Sequence, residues 1–258
     1  MDLHIKDQLF VVGGATSGFG RAIALQLLQE GAHIIAVARS ADQLSDLAAI
    51  APNRVSTVAT DVTSPELSDK IIASIANRSL HGVLINAGGP PAKTFMETTL
   101  EDWDNAYNTL LRWKVSLTKA LLPLLQQQQY GRVLYIESSS VKQPLENLVL
   151  SNSLRLAVVG FVKTLSQEIA ASGVTLNIMA PGSHDTPAIQ RVYNKKAEQA
   201  GISPAAAREK GIQQIPVGRL GKADDFASLA AWLLSPAAGY ITGQTITVDG
   251  GTVKSIFG

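Results

Sequence analysis

From Leu9 to Val248 the chain alternates between short apolar runs and longer segments whose apolar residues recur at helical spacing. Leu9–Val12, His33–Ala38, Arg54–Ala59, Val83–Ile85, Val133–Ile136, Val174–Met179 and Thr245–Val248 read as strands. Between them the pattern predicts helices over Arg21–Glu30, Ala41–Ala51, Pro65–Asn77, Leu100–Gln128, Ser151–Ser172 and Ala223–Leu234, with a polar helical segment at Pro187–Gln213. Strand and helix in regular alternation imply a parallel sheet whose right-handed crossovers place helices on both faces. The expected fold is therefore α/β, a Rossmann-type doubly wound parallel sheet of about seven strands. It occupies a single domain over residues 1–258, with a small lid at about 187–215.

Composition narrows the function. Hydrophobic residues make up 46% and charged residues 17%, enough apolar material for one large core. The net charge is +1, with no basic stripe, so neither nucleic acid nor a membrane surface is an expected partner. With no cysteine there are no disulfides, thiolate metal sites or thiol nucleophiles, and no metal site is expected. Met1–Leu9 has no apolar core of a signal peptide, and no apolar run is long enough to span a bilayer, so the expected location is the cytoplasm.

The first strand runs directly into Gly13-Gly14-Ala-Thr-Ser-Gly18-Phe-Gly20 and then a helix. Such a turn brings backbone N–H groups and the positive helix end onto a pyrophosphate. Gly14, Thr16, Ser17, Gly18, Phe19 and Gly20 are the candidate contacts; a glycine-rich turn with no ligand is the plainer alternative. Some twenty residues on, where an NAD site carries an acidic residue for the ribose hydroxyls, the chain has Ala38 and then Arg39. A guanidinium there suits a 2′-phosphate, so NADP(H) is favoured and NAD(H) remains possible.

Further along, Asp61-Val62 follows the third strand, Asn86-Ala87-Gly88 the fourth, and Pro181-Gly182 with Thr186 the sixth, ahead of the ending Tyr240–Gly251. With the glycine turn, these motifs resemble the short-chain dehydrogenase/reductases over essentially the whole chain, in particular the 3-oxoacyl-acyl-carrier-protein reductase branch. The resemblance implies that Asp61 and Val62 hold the adenine, that Asn86, Ala87 and Gly88 lie along its ribose, and that Pro181, Gly182 and Thr186 touch the nicotinamide end. Gly13 stands where that family usually has threonine.

The chemical half departs from the family. Its members use a serine to polarise a carbonyl, a tyrosine thirteen residues on to donate a proton, a lysine four further to grip the nicotinamide ribose, and an asparagine on the long helix. The corresponding positions here are Ser138, Ser151, Arg155 and Leu110. A serine hydroxyl is a far weaker acid than a phenol of pKa ~10. Arginine stays protonated and relays no proton, but it can hold a ribose and stabilise an oxyanion. Ser138, Ser151 and Arg155 are the candidate catalytic residues, and Arg155 is also a candidate cofactor contact. His184, Tyr193 and Lys114 are weighed as substitute acids, against a packing or surface role for His184 and a subunit-interface role for Lys114.

Two functions follow. One is an NADP(H)-dependent oxidoreductase that reduces a ketone, aldehyde or 3-oxoacyl thioester, or oxidises the matching alcohol, by an atypical proton transfer. The other is a catalytically degenerate NADP(H)-binding homologue acting as a structural or regulatory subunit. The apolar surplus of the long helix and of Ser151–Ser172, with Leu156, Val159 and Val162 lying beyond a core stripe of Leu154, Val158, Phe161, Leu165 and Ile169, matches helices that pair between subunits in the resembled family; a homotetramer is expected.

Overall fold

The computed structural model describes residues 2–256. Its centre is one seven-stranded sheet in the order β3-β2-β1-β4-β5-β6-β7, parallel throughout. The strands are β1 (Leu9–Gly13), β2 (His33–Ala38), β3 (Val55–Ala59), β4 (Leu80–Ile85), β5 (Gly131–Ile136), β6 (Val174–Pro181) and β7 (Thr245–Val248). The strand order reverses between β1 and β4, and that crevice at the carboxyl ends is where doubly wound sheets take ligands.

Alternation within the strands sorts the core into two layers. Phe10, Val12, Ile34, Ala36, Leu84 and Leu134 point to one face, where α1 (Gly18–Gln29), α2 (Ala41–Ile50) and α9 (Ala223–Leu233) pack. Val11, Ile35, Val37, Val83, Val133 and Tyr135 point to the other, covered by α3 (Leu67–Ile75), α5 (Trp113–Gln127) and α6 (Val149–Glu168). Both faces are buried, which is why the strands read as continuous apolar runs.

Three expectations change in detail. The long helix is not continuous α-helix: α4 (Leu100–Tyr107) passes through a π turn at Asn108–Arg112 before α5. Carbonyls around that wider turn are met by side chains, the Trp113 indole N–H donating to Thr109 O at 2.8 Å and the Thr109 hydroxyl to Asn105 O at 2.8 Å. The segment after β6 is two helices, α7 (Pro187–Ala200) and α8 (Pro204–Gln213), parted at Gly201 with φ 62°. On α6 the buried stripe is Ser151, Arg155, Val158, Val162 and Ser166, turned from the expected one so that Val162 lies inside and Leu154, Phe161 and Leu165 are only half-buried. Polar residues hold the start of that stripe because they meet charge rather than hydrocarbon.

Gly20 shows how tightly the first turn is wound. A Cβ there would lie 2.2 Å from the Gly14 carbonyl oxygen, a backbone atom that cannot swing away. Gly20→Ala is expected to destabilise the fold by about 3 kcal/mol, the upper range for overpacking, read as a fall in the urea midpoint; an unchanged midpoint would contradict this packing.

Candidate active site

The glycine turn, Asp61-Val62, Asn86–Gly88, Ser138 and Pro181-Gly182 lie at the carboxyl ends of β1, β3, β4, β5 and β6, whereas Tyr240–Gly243 precede β7. The turn after β1 holds Gly14 at φ 64° and Gly18 at φ 51°, and the space where a Cβ of Gly18 would lie is open. The Ser17 hydroxyl does not cap α1, and the first turn of α1 bears no acidic side chain. An anion therefore meets outward-facing N–H groups and no competing carboxylate there. Asn86 supports the turn, its side-chain amide donating to Gly13 O at 3.3 Å. A side chain at Gly14 would meet that amide at 2.7 Å.

Arg39 projects into solvent at the end of β2, just before Ser40, which caps α2 by accepting from Gln43 N. Asp61, at the end of β3, accepts from Thr63 N at 2.9 Å and from the Thr63 hydroxyl at 2.6 Å. These bonds, with a smaller contribution from Arg39, hold its carboxyl below the usual carboxylate range. Gly182 closes on the last strand, its N–H donating to Val248 O at 3.0 Å. Thr186 begins α7 and its hydroxyl donates to His184 O at 3.4 Å.

The chemical half holds the main surprise. Arg155 is buried, and its guanidinium bonds two partners and leaves one arm free. Nε donates to Ser151 Oγ at 3.0 Å, one terminal nitrogen donates to Glu137 Oε2 at 3.0 Å, and the other lies 3.2 Å from where a Cβ of Gly89 would stand. The second Glu137 oxygen pairs with Lys114 Nζ. The Glu137 and Lys114 side chains are 0% and 2% exposed. Lys114 is therefore an interior residue, contrary to the interface role expected of it. The π turn that precedes it changes the phase of the helix so that Leu110 and Lys114 both face inward. Burial pushes the Lys114 ammonium below the ordinary lysine range, opposed by Glu137 and assisted by Arg155. Removing one partner of such a buried pair costs about 3–5 kcal/mol.

Ser138, directly after Glu137, is half-buried at the strand end. Its Oγ accepts from Ser140 N at 3.2 Å, which leaves its own proton free to donate. Ser151 is in the same state: it accepts from Arg155, so its hydroxyl proton points elsewhere.

Three other groups do not replace the missing phenol. Tyr135 is fully buried and bonded to the Thr118 hydroxyl at 2.7 Å, and burial drives its pKa upward. His184 is packed edge-on against Phe19 and Phe226, with Nδ1 3.2 Å from Gly182 O; burial lowers its pKa, and its neutral Nδ1–H form suits that carbonyl. Tyr193 is buried with Ile215 and Leu220 beneath α7 and α8. Both His184 and Tyr193 are packing residues. Sequence reasoning missed Glu137, because an acidic residue at the end of a central strand had no partner until Lys114 and Arg155 were seen to converge on it.

Comparisons with known proteins give the family. A family model described as enoyl-(acyl carrier protein) reductase matches residues 14–253. The chain belongs to the short-chain dehydrogenase/reductase family. Among relatives of this chain, 3-oxoacyl-[acyl-carrier-protein] reductase FabG of Haemophilus influenzae is 32% identical over 97% of the chain and 100% of its own length. The NADPH-dependent reductase BacG of Bacillus subtilis is 30% identical over 97% of the chain and 99% of its own. The structure of L-sorbose reductase from Gluconobacter frateurii, solved with NADPH and L-sorbose, superposes with a TM-score of 0.92 at 29% identity, covering 99% of this chain and all of that one. Membership places the chain among oxidoreductases.

The buried histidine gives this dehydrogenase/reductase homologue a measurable pH signature. His184 has a folded-state pKa below the unfolded ~6.5, so the unfolded chain binds its proton first as pH falls. The stability it contributes is complete above pH ~6.5 and is lost as pH drops through the lower folded value. His184→Leu is expected to flatten this part of the profile relative to wild type, measured by urea unfolding from about pH 7 to about pH 5. Parallel profiles would show that His184 titrates alike in both states.

Proposed function

We propose that the chain is an NADP(H)-dependent oxidoreductase that interconverts a carbonyl and its alcohol, with water rather than a phenol as the proton source. The observation that carries this reading is the guanidinium of Arg155, held by Ser151 and Glu137, with Ser138 next to Glu137 at the end of β5 and its hydroxyl proton free to donate. The relatives named as NADPH-dependent, or solved with NADPH, support the cofactor assignment.

The residues present suit such a dinucleotide. The open glycine turn and first turn of α1 would take the pyrophosphate, Arg39 the 2′-phosphate, and Asp61 and Val62 the adenine. Asn86, Ala87 and Gly88 would line its ribose, and Pro181, Gly182 and Thr186 the nicotinamide end. When bound, the cofactor supplies or accepts a hydride. The chain's residues do the rest. Ser138 and Ser151 donate hydrogen bonds to the substrate oxygen, and Arg155, polarising Ser151 through Nε, stabilises negative charge developing there. Because arginine holds its proton and a serine hydroxyl is a weak acid, both serines only donate hydrogen bonds and the alkoxide takes its proton from water.

The family's pairing of helices across subunits and the exposed Tyr107 and Leu156, on α4 and α6, fit the homotetramer expected from sequence. Light scattering should give about four chains per particle at micromolar concentration; a stable monomer rejects the assembly.

Two measurements test the function. Fluorescence titration should show tighter binding of NADPH than NADH, with the preference falling in Arg39→Ala; tighter NADH binding removes the case for a 2′-phosphate site. In an assay of β-ketoacyl thioesters, ketones and aldehydes with NADPH, Ser138→Ala should cut kcat by about 10²-fold, the scale for one lost oxyanion donor, at unchanged NADPH affinity. Tight NADPH binding without turnover across the panel would instead favour the regulatory-subunit reading.

A further inference from the structure

The cluster beneath the site contains more charge than holding one side chain requires. Two cations, Lys114 and Arg155, share a single anion, Glu137, and all three are almost fully enclosed. Glu137 is fixed at its base, since its backbone N–H donates to Met179 O at 2.9 Å across the sheet. Lys114 is fixed through its own turn, because the Thr118 hydroxyl donates to Lys114 O at 2.7 Å and also meets Tyr135. Strand β5 and helix α5 thus present a rigid carboxylate and ammonium to a residue on α6. On its own, Glu137 would aim the guanidinium and also cancel its charge; with Lys114 the sum returns to one positive charge.

We propose that Glu137 and Lys114 are positioning residues for Arg155: the carboxylate aims the guanidinium at Ser151 and at the loop after β4, and the ammonium restores the positive charge the carboxylate removes. This role rests on the oxidoreductase reading above, and gives its site two separable properties. Aim comes from Glu137, because one carboxylate oxygen takes a charge-assisted bond from a terminal nitrogen while Ser151 takes Nε, and two fixed acceptors set the plane of the guanidinium. Charge comes from Lys114. The free arm of the fork lies beside Gly89, next to the loop proposed to line the cofactor. A net positive charge in a low-dielectric pocket favours a developing alkoxide and disfavours the cationic, oxidised nicotinamide ring. The arrangement therefore biases the site towards carbonyl reduction.

Calorimetric binding on the full chain separates the two properties without any substrate. The probes are NADPH, NADP+ and adenosine 2′,5′-bisphosphate, which lacks the nicotinamide and its ribose. Glu137→Gln should weaken NADPH by about tenfold or more, the scale of a lost charge-assisted hydrogen bond, while changing the bisphosphate by less than about twofold. Lys114→Met keeps the aim, so NADPH should stay within about threefold of wild type while its preference over NADP+ narrows by about threefold or more. The double variant Glu137→Gln/Lys114→Met relieves the repulsion between two cations. It should melt above Glu137→Gln yet bind NADPH as weakly, which separates aim from folding. Equal loss of NADPH and bisphosphate in Glu137→Gln, no loss of either, or recovered NADPH binding in the double variant overturns the aiming role. An unchanged NADPH to NADP+ ratio in Lys114→Met overturns the charge role. Wild-type protein that binds none of the probes overturns the cofactor reading itself, and the positioning role falls with it.

Discussion

A carboxylate held between two buried cations governs this molecule's site. Without Glu137, Arg155 and Lys114 would face each other in a space almost closed to water, a repulsion no hydrocarbon packing offsets. With it, three elements are locked together at the edge of the core: the end of the central strand β5, the helix α5 that follows the π turn, and the first turns of α6. The interior of a doubly wound domain is otherwise apolar on both sheet faces, as the two core layers show. The ionic cluster sits where that apolar core ends and the ligand crevice begins.

The sheet itself depends on simpler physics. Strands buried on both faces need apolar runs, and the chain supplies them most cleanly in β1 and β2, while the less buried edge strands β3 and β7 carry Ser56, Thr57, Thr245 and Thr247. That is why the strands and their alternation with helices were readable from sequence almost residue by residue. The glycine turn was readable for the same reason: positive φ at Gly14 and Gly18, and the contact at Gly20, admit few other residues. The helices were less legible in detail. A π turn has no compositional signature, so Leu100–Gln128 read as one helix, and the change of phase that carries Lys114 inward was invisible. The α6 stripe was misread because the pattern follows apolar residues, whereas Ser151, Arg155 and Ser166 are buried through polar partners.

Spacing placed Ser138, Ser151 and Arg155 correctly at the sheet edge but gave no hint of how they are connected. A buried glutamate two positions beyond Tyr135 could as easily have been a solvent-facing strand end; only the convergence of side chains from α5 and α6 gives it a partner. Likewise His184 and Tyr193 had the right chemistry for an acid and the wrong surroundings. Each is enclosed by rings or aliphatic groups, and each lies against a glycine, Gly221 and Gly211, that has no room for a side chain.

Arg155 also limits how this site can change over evolutionary time. Its planar fork lets one residue bond Ser151 and Glu137 while its free arm lies beside Gly89. A lysine offers a single nitrogen, which cannot occupy three places; beside Glu137 it would be drawn down to the carboxylate and away from the loop. A return to the family's lysine is therefore blocked while Glu137 remains, and loss of Glu137 alone sets Lys114 against Arg155. Lys114, Glu137, Ser151 and Arg155 therefore form one interdependent unit, in which changing any one alters what the others can bind.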